Sequence, residues 1–346
     1  MSFVCGMSLI PVIVDFCKRR RLFDLPDARK RHKTPVPRLG GICFLPCMVF
    51  SFFLATFALR FFDAGKQAVI SVGSVDVLIG ALMLYVVGVI DDIVGVRARR
   101  KLIAQIAAAC MLPVALLYIN NFYGLLGIGE IPFFVGVPLT VFVVVGVVNA
   151  MNLIDGIDGL CSGLSIIALL GYGVLFAMAG MWAYVVMVAG LVGVLTAYTY
   201  FNMFSTGHKI FMGDSGSLTL GFALSFFFVK LSMVNRMALP MDDHRMIMAA
   251  SFLIVPCFDV LRVMGARKRM GRGIFTPDRN HIHHRLIDGG CSMHQALAVI
   301  LLLDLALVGL NALLLWAGVQ VTLIAVIDVV AFMGFFKVLR GRQRKG

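Results

Sequence analysis

Glutamate is almost absent from this chain. Glu130 is the single one in 346 residues, so 17 of the 18 acidic side chains are aspartates. Charge of any kind is scarce, at 14% of residues. The features that divide a chain into modules are also missing. No linker, low-complexity tract or internal repeat interrupts the pattern, so a single domain over 1–346 is expected, and a fold of duplicated halves is not. The eight cysteines, at 5, 17, 43, 47, 110, 161, 257 and 291, include no C-x-x-C pair. Most lie inside apolar runs and read as small buried hydrophobes, not zinc ligands or disulfide partners. No A-x-A-like cleavage site precedes the basic run that begins at Lys18. The apolar start therefore reads as a retained first helix.

What the chain has in abundance is apolar sequence: 60% of residues are hydrophobic and the mean hydropathy is +0.95. Repeated apolar runs of about 20 residues suffice to cross a hydrocarbon core. The expected class is all-α, a polytopic membrane protein. Eleven spans are expected, near 2–17, 41–61, 75–92, 102–118, 131–149, 160–179, 181–200, 211–234, 246–264, 294–316 and 319–337.

The net charge of +13 suggests nucleic acid at first, but the basic residues sit between apolar spans. Placed on alternating sides, segments 18–40, 91–101, 149–159, 201–212, 265–293 and 337–346 hold 25 lysines and arginines, and the opposite loops hold 4. The positive-inside rule assigns the richer side to the cytoplasm. The N-terminus is then expected outside, the C-terminus inside, and no nucleic-acid partner is implied.

The acids gather on that same side. Asp91 and Asp92 end the third span in "GVIDDIVGV", and Asp155 and Asp158 fall in "NAMNLIDGIDGL". Asp214 begins the eighth span in "KIFMGDSGSLTLG", and Asp259 lies near the inner end of the ninth. Ionisable groups at membrane depth are expensive and mark function by default. Single members have plainer readings: Asp92 as a solvated helix end, Asp214 as a helix-start preference. Asp155 and Asp158, three apart, would share one helical face with Asn152 close by. No neighbouring lysine or arginine in the sequence neutralises them. Gly156 and Gly159 leave room for a ligand at the backbone. Hard oxygen donors of this kind suit Mg²⁺ or Mn²⁺, which bind substrate phosphates.

Two basic loops complete the set. The segment "ARKRMGRGIFTPDRNHIHHRLIDGG" concentrates Arg279, Arg285, His281, His283 and His284. A zinc site lacks a cysteine or carboxylate at a completing spacing. An anion- and sugar-binding loop fits better, since Arg forks grip phosphate and imidazoles bond hydroxyls. In "KRRRLFDLPDARKRHKTPVPRLGG", prolines and Gly-Gly impose shape, and Lys33 and Arg38 are candidate diphosphate contacts. Topological anchoring explains most of its other charges.

Together, in this order, these motifs resemble the polyprenyl-phosphate N-acetylhexosamine-1-phosphate transferases. That family includes phospho-N-acetylmuramoyl-pentapeptide transferase and the enzymes that start O-antigen, enterobacterial common antigen and teichoic acid chains. The resemblance runs from "DLPDARKRHKTPVPRLGG" to "PDRNHIHHRL". It implies that Asp91 and Asp92 are the paired aspartates, with Lys101 the basic residue that follows. It matches Asn149, Asn152, Asp155 and Asp158 to a second motif. It makes Asp214 the main Mg²⁺ ligand and Phe211 an aromatic stacked on the nucleotide base. Gly159 and Leu160 are expected to face uracil, and His281, His283 and His284 to form the histidine motif. "DRNHIHH" is similar to the N-acetylglucosamine branch.

The implied reaction joins a UDP-N-acetylhexosamine to undecaprenyl phosphate and releases UMP. Its implied setting is the bacterial inner membrane, with the site on the cytoplasmic face and a homodimer as one expected assembly. A secondary transporter, the main rival, predicts acids near the midplane and often a repeat. An intramembrane aspartyl protease would need G-x-G-D where this chain has "FMGD". A CDP-alcohol phosphotransferase would need D-G-x-x-A-R where this chain has "DGIDGLCSG".

Overall fold

The computed structural model describes residues 1–24, 35–61, 72–233, 244–271, 273 and 280–343. Lys33 and Arg279, two of the candidate contacts, lie outside the described residues. The helices in chain order are α1 (Ser2–Arg20), α2 (Phe44–Phe61), α3 (Val72–Val94), α4 (Ala98–Val114), α5 (Phe133–Ile154), α6 (Leu160–Met178) and α7 (Trp182–Met203). They continue as α8 (Gly213–Ser232), α9 (Arg245–Ser251), α10 (Ile254–Arg269), α11 (Ile282–Asp288), α12 (Met293–Trp316) and α13 (Val321–Gln343). Two short strands, β1 (Phe23–Asp24) and β2 (Val36–Pro37), pair antiparallel and add a small ribbon that the all-α expectation omitted.

Every expected span coincides with helix, but the count of eleven membrane crossings is not reproduced. Among the described residues, eight helices are long and apolar enough to cross, or nine if one bent pair counts as a single span. Two expected spans fall short for simple reasons. α1 carries Asp15 and ends on Lys18, Arg19 and Arg20. α4 has 17 residues and begins with Arg99, Arg100 and Lys101. The span expected at 246–264 is broken, with α9 and α10 meeting at 68°. Pro256 explains the break. It lacks an N–H, and its ring clashes with the carbonyl four residues back, at Phe252, inside the gap between the two helices.

The core is built around α8. In its most apolar stretch 83% of residues are buried, against 28% for α3, α12 and α13. α3 and α5 pack along α8, and a 3-10 turn at Leu39–Cys43 crosses its start. Glycines permit the close approach. A Cβ on Gly88 of α3 would lie 2.5 Å from the Ser215 Cα, and one on Gly221 would lie 2.7 Å from the Val148 Cα. Large apolar side chains such as Phe134, Phe142 and Leu302 remain exposed on outer helix faces, as a surface facing lipid requires. All eight cysteines are free.

Candidate active site

The start of α8 is held by two distant segments. Phe211 donates its N–H to the Pro37 carbonyl, and Gly40 and Gly41 donate to the carbonyls of Phe211 and Met212, each at 2.8 Å. Gly213 has φ +70°, and a Cβ there would meet the Arg38 carbonyl oxygen and Asp92 Oδ2 at 2.5 Å. The glycine ahead of Asp214 is thus required by both conformation and space. Asp92 accepts the backbone N–H groups of Asp214 at 2.8 Å and Ser215 at 3.0 Å, one on each oxygen. The plainer reading of Asp92 as a solvated helix end does not hold: the residue is buried and caps α8, reaching across from the end of α3. Both of its oxygens are taken up in placing Asp214.

Asp214 gathers the side chains of three other helices. Lys101 of α4 bridges Asp91 Oδ2, at 2.9 Å, and Asp214 Oδ2. Asn152 of α5 donates to Asp214 Oδ1 at 3.0 Å and to Ser217 Oγ at 2.9 Å. Asp91 also accepts the Val96 N–H at 2.6 Å, which closes the turn between α3 and α4. Lys101, ten residues after Asp91, reaches the acids because that turn folds α4 back along α3.

A cavity of about 430 Å³ opens beside this cluster. Arg38, Asp91, Asp92, Asn152, Phe211 and Asp214 line it, and Asp155, Asp158 and His284 face it from the other elements. Residues 155–159 are not helical, as the loop expected between the fifth and sixth spans requires, so Asp155 and Asp158 share a turn and not a helix face. α5 ends at Ile154, and Gly159, at φ +77°, starts α6. The turn still points both carboxylates at the cavity. Burial, with Asp214, Asp158 and Asp92 close by, pushes the Asp155 carboxyl up to about 7. Asp158 is not unpaired: Lys209 meets it at 2.5 Å. Their separation in sequence hid the pair. Asn202, also unanticipated, joins the turn by accepting the Gly159 N–H at 2.7 Å and donating to the Ile210 carbonyl at 2.9 Å.

The histidines divide by position. His284 reaches the cavity, whereas His281 and His283 are buried. The His281 Nδ1 pairs with Asp259 Oδ2 at 2.8 Å, and Asp259 Oδ1 accepts the Ile282 N–H at 3.0 Å. Arg262 binds the same carboxylate at 2.7 Å. Asp259 therefore anchors the short helix α11. A Cβ on Gly156 would fall 2.1 Å from His283 Nε2, so this ring presses on the 155–159 turn.

Three further candidates, Leu160, Gly159 and Asn149, do not line the cavity. Leu160 is wholly buried in the core, and Gly159 sits against Met203. Asn149 is turned to α4, where it donates to Gln105 Oε1 at 2.7 Å. Gln105 carried no motif signal, and only the folded helices reveal it.

Aspartates at helix ends, joined by lysine and amide groups beside an open cavity, mark the candidate site of a polytopic helical protein. Residues 74–232 match the family model described as glycosyl transferase family 4. The chain is 29% identical over 306 residues to the undecaprenyl-phosphate alpha-N-acetylglucosaminyl 1-phosphate transferase of Yersinia pestis, spanning 87% of this chain and 79% of that protein. It is 29% identical over 345 residues to a probable undecaprenyl-phosphate N-acetylglucosaminyl 1-phosphate transferase of Bacillus subtilis, spanning 94% and 89%. The Escherichia coli K12 enzyme, with the same name as the Yersinia one, is 28% identical over 302 residues, spanning 86% and 77%. The resemblance read from the motifs is borne out by these matches: over most of its length the chain is similar to undecaprenyl-phosphate N-acetylglucosaminyl 1-phosphate transferases.

Proposed function

We propose that this protein transfers N-acetylglucosamine 1-phosphate from UDP-N-acetylglucosamine to undecaprenyl phosphate, releasing UMP, at the cytoplasmic face of a bacterial inner membrane. The observation that carries the reading is the convergence of Lys101 and Asn152 on the Asp214 carboxylate, at the mouth of a cavity lined by acids and an aromatic ring. The names of the three relatives support the acceptor and the transferred N-acetylglucosaminyl phosphate, and the UDP donor is part of this proposal.

The donor set is suited to Mg²⁺. Among the described residues no three His, Cys, Asp or Glu side chains form a closed metal cage. Mg²⁺ needs none, since it keeps waters and takes one or two carboxylates together with substrate phosphates. Asp214 and Asp91, already drawn together by Lys101, would hold it. When bound it would polarise the diphosphate and stabilise charge on the departing UMP.

In this scheme a lipid phosphate oxygen attacks the β-phosphorus of the sugar nucleotide, and the bond from that phosphorus to the bridging oxygen breaks, leaving UMP. The chain contributes position and charge. Asp92 fixes the helix that carries Asp214. Lys101 offsets the negative charge of its two carboxylates. Asp155, which lines the cavity, is assigned the exchange of a proton with the acceptor phosphate. Phe211 offers a ring to the base, and Arg38 and His284 offer contacts to phosphate and sugar.

The test incubates the purified protein with undecaprenyl phosphate, Mg²⁺ and a panel of UDP-sugars, and follows UMP release and lipid-linked sugar. UMP release with UDP-N-acetylglucosamine is expected. Release with another UDP-N-acetyl sugar alone would change the donor, and release with none would sink the proposal.

A further inference from the structure

Gln105 lies 2% exposed in α4, facing Asn149 of α5. The two amides are reciprocal: Asn149 Nδ2 donates to Gln105 Oε1 at 2.7 Å, and Gln105 Nε2 approaches Asn149 Oδ1 at 3.4 Å. Asn149 is itself tied to its own helix by a bond to the Val145 carbonyl at 2.8 Å. Neither side chain lines the cavity.

Their spacing relative to the Asp214 cluster gives the pair a role. Lys101 precedes Gln105 by four residues, and Asn152 follows Asn149 by three, so each is on the same helix face as its amide. Helices α4 and α5 run in opposite directions, since α4 leaves the Asp214 end and α5 returns to it. Stepping from Gln105 to Lys101 moves about 6 Å toward that end, and stepping from Asn149 to Asn152 moves about 4.5 Å in the same direction. The two steps are nearly matched. They deliver an ammonium and an amide to one depth, where they bond the two oxygens of one carboxylate, Lys101 to Oδ2 and Asn152 to Oδ1. A slip of one residue would turn a helix by about 100° and shift it by about 1.5 Å, removing its group from Asp214. The amide pair resists such a slip, because parting the two leaves the buried Gln105 amide without a partner.

We infer that Gln105 and Asn149 form a register lock between α4 and α5 that positions Lys101 and Asn152 on Asp214. Gln105 is thus a positioning residue, and Asn149 acts through it rather than on substrate. The inference rests on the proposed reaction for its kinetic readout but not for its geometric one.

The experiment uses full-length protein carrying Gln105→Met, Asn149→Leu, both together, or Gln105→Glu. The glutamate variant keeps the acceptor that Asn149 uses. Two readouts are taken: kcat and KM for UMP release, and the rate of acetylation of the Lys101 amine by an N-hydroxysuccinimide ester, followed by mass spectrometry. Either single variant is expected to lower kcat by at least about tenfold, as misplacement of catalytic groups does, with KM for the sugar nucleotide changed far less. Lys101 labelling should accelerate several-fold. The double variant should be no worse than either single one, and Gln105→Glu should stay near the parent in both readouts.

A structural role alone would lower thermal stability and leave kcat per folded molecule and Lys101 protection unchanged, which overturns the lock. Additive losses in the double variant overturn it as well. Should Gln105→Met not assemble, Asn149→Leu and Gln105→Glu carry the same contrast. If the parent releases no UMP but Lys101 labelling follows the expected pattern, the lock stands and the proposed reaction falls.

Discussion

At the scale of single residues, the aspartates separate by what their oxygens bond. Asp214 keeps its carboxylate toward the cavity with Lys101 and Asn152 attached, whereas Asp92 gives both oxygens to backbone N–H groups. Replacement should therefore have different signatures. Asp214→Asn is expected to fold normally and lose nearly all UMP release, and normal turnover in that variant would remove Asp214 from the chemistry. Asp92→Ala is expected to lose activity and also about 1–2 kcal/mol of stability, the scale of a lost helix cap. Equilibrium unfolding of the two variants side by side measures the contrast, and equal stabilities would argue against the cap. Asp155 adds a pH effect. Its folded-state value, about 7, lies above the ordinary carboxylate value of about 3.9. The folded chain therefore holds this proton more tightly than the unfolded chain does. That contribution to stability is complete below the ordinary value and is lost as pH rises through about 7. Thermal denaturation in chelator across this range should show a loss in the parent that is smaller in Asp155→Asn. Superimposable curves would mean that Asp155 titrates as an ordinary acid.

At the scale of elements, the apolar runs were legible because the bilayer demands them, and each expected span contains helix. The acid motifs were legible because so few charges compete with them. What the sequence concealed depends on pairing between remote positions: Lys209 with Asp158, Gln105 with Asn149, and Asp92 with the start of α8. None has a local signature, since each needs the helix arrangement to bring its members together. The kink beside Pro256 had a local cause, yet an apolar run on both sides masked it. The break expected between the fifth and sixth spans is present at 155–159, where Gly156 and Gly159 favour a turn, the property that also admits His283. Close helix packing generates its own prediction. Gly88 brings α3 against the start of α8, so Gly88→Val should force the two apart. A cost of about 1–3 kcal/mol, typical of overpacking, is expected, together with loss of UMP release because Asp92 no longer reaches Asp214. Retained activity with unchanged stability would show that α3 adjusts freely.

At the scale of the whole molecule, polar groups outside the cavity also sit deep in the helix bundle. Asp304 of α12 is fully buried, and neither carboxylate oxygen has a hydrogen-bond partner among the described residues. Nearer the α12–α13 connection, Asn311 joins Ser251 at 2.8 Å and Asp328 at 2.9 Å, linking α12 to the bend at α9 and to α13. Asp304 takes no part in the proposed reaction. Asp304→Leu should therefore leave UMP release within about twofold of the parent and raise stability by about 1–3 kcal/mol, the cost of an unpaired buried polar group. A loss of activity without a loss of stability would assign this acid a role in turnover.

The seam between Pro37–Gly41 and Phe211–Gly216 also has a consequence for how the enzyme comes into being. Translation delivers one edge of the seam early and the other only after seven helices have emerged. Lys101 and Asn152 likewise wait for Asp214. A nascent chain already threaded into the membrane, but not yet extended past α8, has no floor beneath its cavity. On the proposed reaction, catalytic competence would arise only after α8 is made, and a chain ending before it would be silent instead of partly active.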